Sequence, residues 1–124
     1  MENLNAGYEF PPVSYRLTHS IVAKYQKAVA AEPSVTSLVP PLAVAAYALK
    51  AIYTSFLFPP GSIQAAQEFE FRKPVSVGSE INYQAKVVQN MKRTGMNMVV
   101  IELNALDKSN DTVLWGKTTV VLPA

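Results

Sequence analysis

At 124 residues the chain has the length of one domain, since domains typically run to ~50–250 residues. Apolar side chains make up 49% and charged ones 16%, which argues against disorder, allows a sizeable core and suggests surface hidden in an oligomer. A net charge of +2 without an aromatic-basic cluster gives no footing for nucleic acid, and the absence of cysteine excludes disulfides and thiolate zinc sites and fits a reducing cytoplasm.

The first ten residues lack a basic run followed by an apolar region, so no secretory signal is expected. Residues 5–16 contain Phe10-Pro11-Pro12, which favours an extended leading segment because proline fixes φ and donates no hydrogen bond. A helix is expected from Thr18, whose hydroxyl can accept from first-turn amides. Ile21, Tyr25, Ala28 and Val29 give that helix one apolar face, and Pro33 ends it or lies just beyond.

Pro40-Pro41 opens a second helix, because a proline in the first turn loses no needed N–H. From residue 42 to 57 it is apolar on almost every side, with Lys50 its sole charge. Such a helix must be enclosed on most sides, and in a small chain only a strongly curved sheet can do that. The apolar stretch falls short of the ~20 residues of a membrane span, so a buried helix is expected, with a span as the alternative. Phe58-Pro59-Pro60-Gly61 then turns the chain.

The remaining half is strand-like. Residues 63–71 read IQAAQEFEF, with Ile63, Ala65, Phe69 and Phe71 expected on one face and Gln64, Glu68 and Glu70 on the other. A turn through Lys73-Pro74 and Gly78 leads to a strand in which Ile81, Tyr83, Ala85 and Val87 alternate with polar residues. A hairpin at 92–95 and a turn at 108–111 separate two further strands, the first with Val99, Ile101 and Leu103 as core. Hairpin-linked strands of this kind make an antiparallel sheet.

Three stretches carry a family resemblance: YQKAVAAEP, the VPP step, and QEFEFRKPVSVGSEI. In order and spacing they resemble the MaoC-type hot-dog proteins, which hydrate or dehydrate acyl thioesters. The resemblance covers nearly the whole chain, residues 10–123. It implies an α+β hot-dog fold: a single domain over residues 1–124, with a curved antiparallel sheet wrapped around a long buried central helix. Family members carry an Asp and a His, roughly D-x-N-P-x-H, after the first helix. The matching segment here is Ala30-Ala31-Glu32-Pro33-Ser34-Val35, with alanine at the Asp position and valine at the His position. In the later strand-turn step, Ser79 stands where the family has an Asp.

Hydration of an enoyl thioester needs a base for water and an acid for the α-carbon. The sole histidine, His19, sits at the start of the first helix and reads either as an exposed helix-start residue or as a substitute. Glu32, the only carboxylate in the dyad segment, reads as a solvated helix-end residue or as a lone base. Hot-dog thioesterases place an acid on the central helix; none occurs from 42 to 58. Lys50 either reaches out of the core or contacts a thioester's phosphates, and Tyr47 and Tyr53 either line an acyl tunnel or fill the core. No Gly-rich phosphate loop, G-x-S-x-G elbow or metal-spaced cluster is present.

No catalytic residue is therefore assigned beyond the fallback pair Glu32 and His19, and Tyr47, Lys50 and Tyr53 are the substrate-binding candidates. The expected function is that of a non-catalytic subunit, or half, of a MaoC-like (R)-3-hydroxyacyl thioester dehydratase or enoyl-thioester hydratase, shaping the acyl-chain site. The alternatives are a self-contained hydratase with an atypical acid/base and a homodimeric acyl-thioester-binding protein without chemistry. No metal or cofactor is expected. The ligand would be a coenzyme A or acyl-carrier-protein thioester, and the partner a second copy or a dyad-bearing MaoC-like subunit, in the cytoplasm and away from nucleic acid and membrane.

Overall fold

The computed structural model describes residues 4–28, 38–56 and 58–123. In chain order the elements are β1 (Val13–Arg16), α1 (His19–Ala28), α2 (Pro41–Ser55), β2 (Ile63–Phe71), β3 (Glu80–Arg93), β4 (Met96–Leu106) and β5 (Thr112–Pro123). The five strands form one antiparallel sheet in the order β1-β3-β4-β5-β2.

The alternation read in the sequence holds through the middle of the sheet. Val87 faces Ile101 and Ile101 faces Thr118, so one face of β3, β4 and β5 is lined by Ile81, Val99, Ile101, Leu103 and Val120, all buried. Thr94-Gly95 closes the β3–β4 hairpin, with Gly95 at φ +79°, a conformation that favours glycine. Three register shifts interrupt the ladders: between Val87 and Gln89, between Gln64 and Ala66, and at the start of β5, where Leu106 pairs with Thr112 and Ala105 with Leu114. Each leaves one residue unpaired and bends its strand, which curves the sheet around α2.

The leading segment lies along β3. Beyond the four pairs of β1, Gly7 N donates to Val87 O, Val87 N to Tyr8 O and Phe10 N to Ala85 O. α1 starts as expected: Thr18 Oγ1 accepts from Ile21 N at 3.3 Å. Only Val22 of α1 is buried, against six residues of α2: Ala43, Val44, Ala45, Ala48, Ala51 and Ile52. Those alanines let α2 approach the sheet closely, and the buried Tyr83 hydroxyl donates to Val44 O at 2.9 Å. Burial pushes that phenol far above its usual range.

Two expectations change. The sheet covers the inner side of α2 only: Leu42 is 63% exposed, Tyr53 41%, and Ala46 between them is exposed as well. The bulge at Ala65 also exchanges the two faces at the start of β2. Gln64 pairs with Val120 and Ile63 with Val121, so Gln64 shares the face of Phe69 and Phe71, while Ile63 lies on the other side. The fully buried Thr118 fixes this bulge, its Oγ1 accepting from Gln64 Nε2 at 3.0 Å and donating to Ala66 O at 3.4 Å.

Candidate functional site

Three segments distant in sequence enclose a cavity of about 600 Å³ at the N-terminal end of α2. The first is the Leu38-Val39-Pro40-Pro41 step with Val44, one turn into the helix. The second is the exit from β2, residues 71–75, and the third is Val113. Backbone hydrogen bonds hold them together: Val39 N donates to Val75 O at 2.7 Å, and Arg72 N to Val113 O at 3.0 Å. Val113 is the residue left unpaired by the β5 register shift, so it and Leu114 are both buried although they are neighbours in a strand. A bulge re-aims a side chain in this way. Leu38, Phe71 and Val75 complete the apolar wall, with Phe71 44% exposed at the opening.

Two cations stand on the same wall, Arg72 and Lys73. Lys73 Nζ donates to Asp107 Oδ2 at 2.6 Å and to Asp111 Oδ2 at 3.0 Å, tying the wall to the β4–β5 turn. Asp107 is held in place in turn, its Oδ1 accepting from the Ser109 and Asp111 amides, and Asn110 takes a left-handed φ of 61° between them. The hydrogen bond between Lys73 and Asp107 is the main reason that the ammonium lies above, and the carboxyl below, its ordinary pKa. Among the described residues the Arg72 guanidinium has one polar partner, Nη2 donating to Glu70 Oε2 at 3.3 Å.

The described residues lining this cavity include no Asp, Glu, His or Cys. It can hold an apolar chain beside a cationic rim, but those residues offer no group that could take a proton from water. Among the described residues no cluster of three or more His, Cys, Asp or Glu could bind a metal ion. A smaller groove of about 350 Å³, lined partly by Glu9, Lys86 and Glu102, lies along the leading segment and is polar.

Of the candidates named from sequence, Glu32 falls outside the described residues, as does the whole segment 30–35. His19 is the first residue of α1, exposed, and does not line the cavity. Tyr47 meets Tyr15 edge-on at 5.0 Å, and Lys50 Nζ lies over both rings, 5.2 Å from the centre of Tyr47 and 5.8 Å from that of Tyr15. The lysine thus reaches outward along aromatic surface. Tyr53 packs edge-on against Phe58 at 5.3 Å. None of the three lines the cavity. Arg72, Lys73 and Val113 do, and sequence reasoning passed over them as turn and strand residues. The only signal was the charged pair directly before Pro74-Val75.

No family profile matches the chain, and no curated protein matches it. Solved structures do. The (R)-hydratase of A. caviae involved in PHA biosynthesis superposes with a TM-score of 0.80 at 18% identity, over 99% of this chain and 100% of that one. The MaoC-like dehydratase of Rhodospirillum rubrum gives 0.77 at 19% identity, covering 97% and 93%. The HadBC (3R-hydroxyacyl-ACP dehydratase) complex of Mycobacterium tuberculosis gives 0.72 at 17%, covering 97% and 98%. The chain therefore has the hot-dog fold of the MaoC-like dehydratases and (R)-hydratases.

Proposed function

We propose that this chain is a cytoplasmic, non-catalytic subunit of a MaoC-like hydratase or dehydratase acting on acyl thioesters, and that it shapes the acyl-chain site while a partner supplies the acid and base. One observation carries this reading: an apolar cavity of about 600 Å³ whose described lining holds no carboxylate or imidazole. The sequence agrees, with Ala30 and Val35 at the positions of the resembled family's Asp and His. Proton transfer by a positioned acid or base contributes ~10²–10⁴-fold each, so a site with neither would be left with binding.

An open surface supports a partner. α2 presents Leu42, Ala46 and Tyr53 to the outside, and among the described residues β2 pairs with β5 alone, which leaves its other nine-residue edge without a strand partner there. Free edges of that length invite association. The HadBC dehydratase, which shares the fold, is itself a complex. The partner is a dyad-bearing MaoC-like chain, and the ligand is a coenzyme A or acyl-carrier-protein thioester.

The test is enoyl-thioester hydration by the purified chain, alone and with a dyad-bearing MaoC-like subunit. Crotonyl and longer enoyl thioesters should not be turned over by the chain alone but should be by the pair. Glu32→Ala and His19→Ala should leave the paired rate unchanged. Turnover by the chain alone that disappears in Glu32→Ala would replace this reading with that of a self-contained hydratase.

A further inference from the structure

Arg72 and Lys73 are adjacent in the chain and line the same cavity, yet their charges are engaged very differently. Lys73 sits between two carboxylates at 2.6 and 3.0 Å, one of them fixed by two backbone amides. An ammonium so placed has two of its three donors engaged by carboxylates of the neighbouring turn. Arg72 has five N–H donors in a planar fork. Among the described residues its side chain has one partner, Glu70, at 3.3 Å, and both are about half exposed, at 49% and 57%. A pair that open is weak and readily exchanged. The cavity thus combines an apolar wall of Leu38, Val44, Phe71 and Val113 with one cation that retains most of its donors.

We propose that Arg72 recognises the anionic group of the ligand whose apolar chain enters this cavity, and that Lys73 is a positioning residue that does not touch the ligand. The guanidinium fork matches phosphate and carboxylate oxygens two at a time, which the compact ammonium of lysine cannot do. The chemistry recognised is an apolar chain joined to an anion. The anion is either the phosphate of a phosphopantetheine-type carrier or the carboxylate of a free fatty acid. The inference rests on the acyl-binding reading of the same cavity.

Calorimetric titration of the full chain with octanoyl-coenzyme A, S-octanoyl pantetheine (which lacks phosphate) and octanoate separates these cases. The phosphate-bearing ester should bind at least about tenfold more tightly than the pantetheine ester, an advantage that shrinks at high salt. Arg72→Gln should bring the two esters to equal affinity, a loss of about ten- to a hundredfold for octanoyl-coenzyme A alone. Lys73→Met should keep the preference, and Glu70→Gln should keep or increase it.

Equal binding of the two esters by the natural chain, or a preference that survives Arg72→Gln and vanishes in Lys73→Met, overturns the assignment and leaves the acyl-binding reading standing. Octanoate binding that depends on Arg72, without ester binding, would support the anion site and refute the thioester reading. Binding of none of the three would refute both.

Discussion

The two sides of α2 are made of the same kinds of residue and meet opposite fates. The inner side, Ala43, Val44, Ala48, Ala51 and Ile52, is sealed against the sheet. The outer side, Leu42, Ala46, Leu49 and Tyr53, follows helical spacing just as well, yet three of these four are exposed. Hydropathy reports which surfaces seek cover and not what covers them. The sheet is divided in a similar way. Its β3 edge is closed by the leading segment, whereas β2 ends the sheet at the other side with Phe71 and Ile63 in the open. These two open surfaces are where the partner proposed above would sit.

Ala48→Trp should break the inner side most severely. Its Cβ is in the core cluster, and overpacking a filled site costs ~1–3 kcal/mol and occasionally more. Urea denaturation should show a lower midpoint; an unchanged one would mean that the inner face is loosely packed. Tyr83→Phe should cost less, ~0.5–1.5 kcal/mol, because it removes one buried hydrogen bond to Val44 O and keeps the ring. By contrast Ala46→Glu, two positions from Ala48 but on the outer side, should change the stability of the folded chain by no more than ~0.5 kcal/mol. It should weaken assembly instead. Light scattering should find the natural chain larger than 13.5 kDa at micromolar concentration and the variant shifted toward that mass. A natural chain that is already monomeric would remove the contrast.

Much of this fold could be read from residue order. Strict alternation at Ile81, Tyr83 and Val87 and at Val99, Ile101 and Leu103 marked the strands, and Pro40-Pro41 marked the start of α2, because each pattern reflects a local rule. The bulges could not be read. Nothing in IQAAQEFEF shows that Ala65 is the unpaired residue, since the choice depends on Thr118, 53 positions away, accepting from Gln64. The cavity escaped for the same reason. Its walls join residues 38–44, 71–75 and 113, and Val113 turns inward only because of how β5 pairs with β4. Tyr47, Lys50 and Tyr53 are candidates from sequence because they stand on the central helix, Lys50 as its sole charge, with core packing and an outward reach as the alternatives. In the fold Tyr47 and Lys50 face Tyr15, and Tyr53 faces Phe58.

The smallest expected effect concerns the tie between the cavity wall and the β4–β5 turn. Asp107 has a folded pKa below its ordinary 3.8, chiefly because Lys73 donates to it, so its share of the stability is complete above that value and is lost as pH falls through the lower folded one. Lys73 has a folded pKa above its ordinary 10.5, again chiefly through Asp107. Its share is complete below that value and is lost as pH rises through the higher folded one. Both groups are at the surface, where solvent screens the pair, so the contribution to stability is slight. Melting temperatures of the natural chain and Lys73→Met should therefore differ little, with a flat difference between the two ordinary values that narrows toward both extremes. Salt should shrink that difference at neutral pH. A difference that stays constant as pH falls through the Asp107 titration would mean that the charge pair contributes none of it.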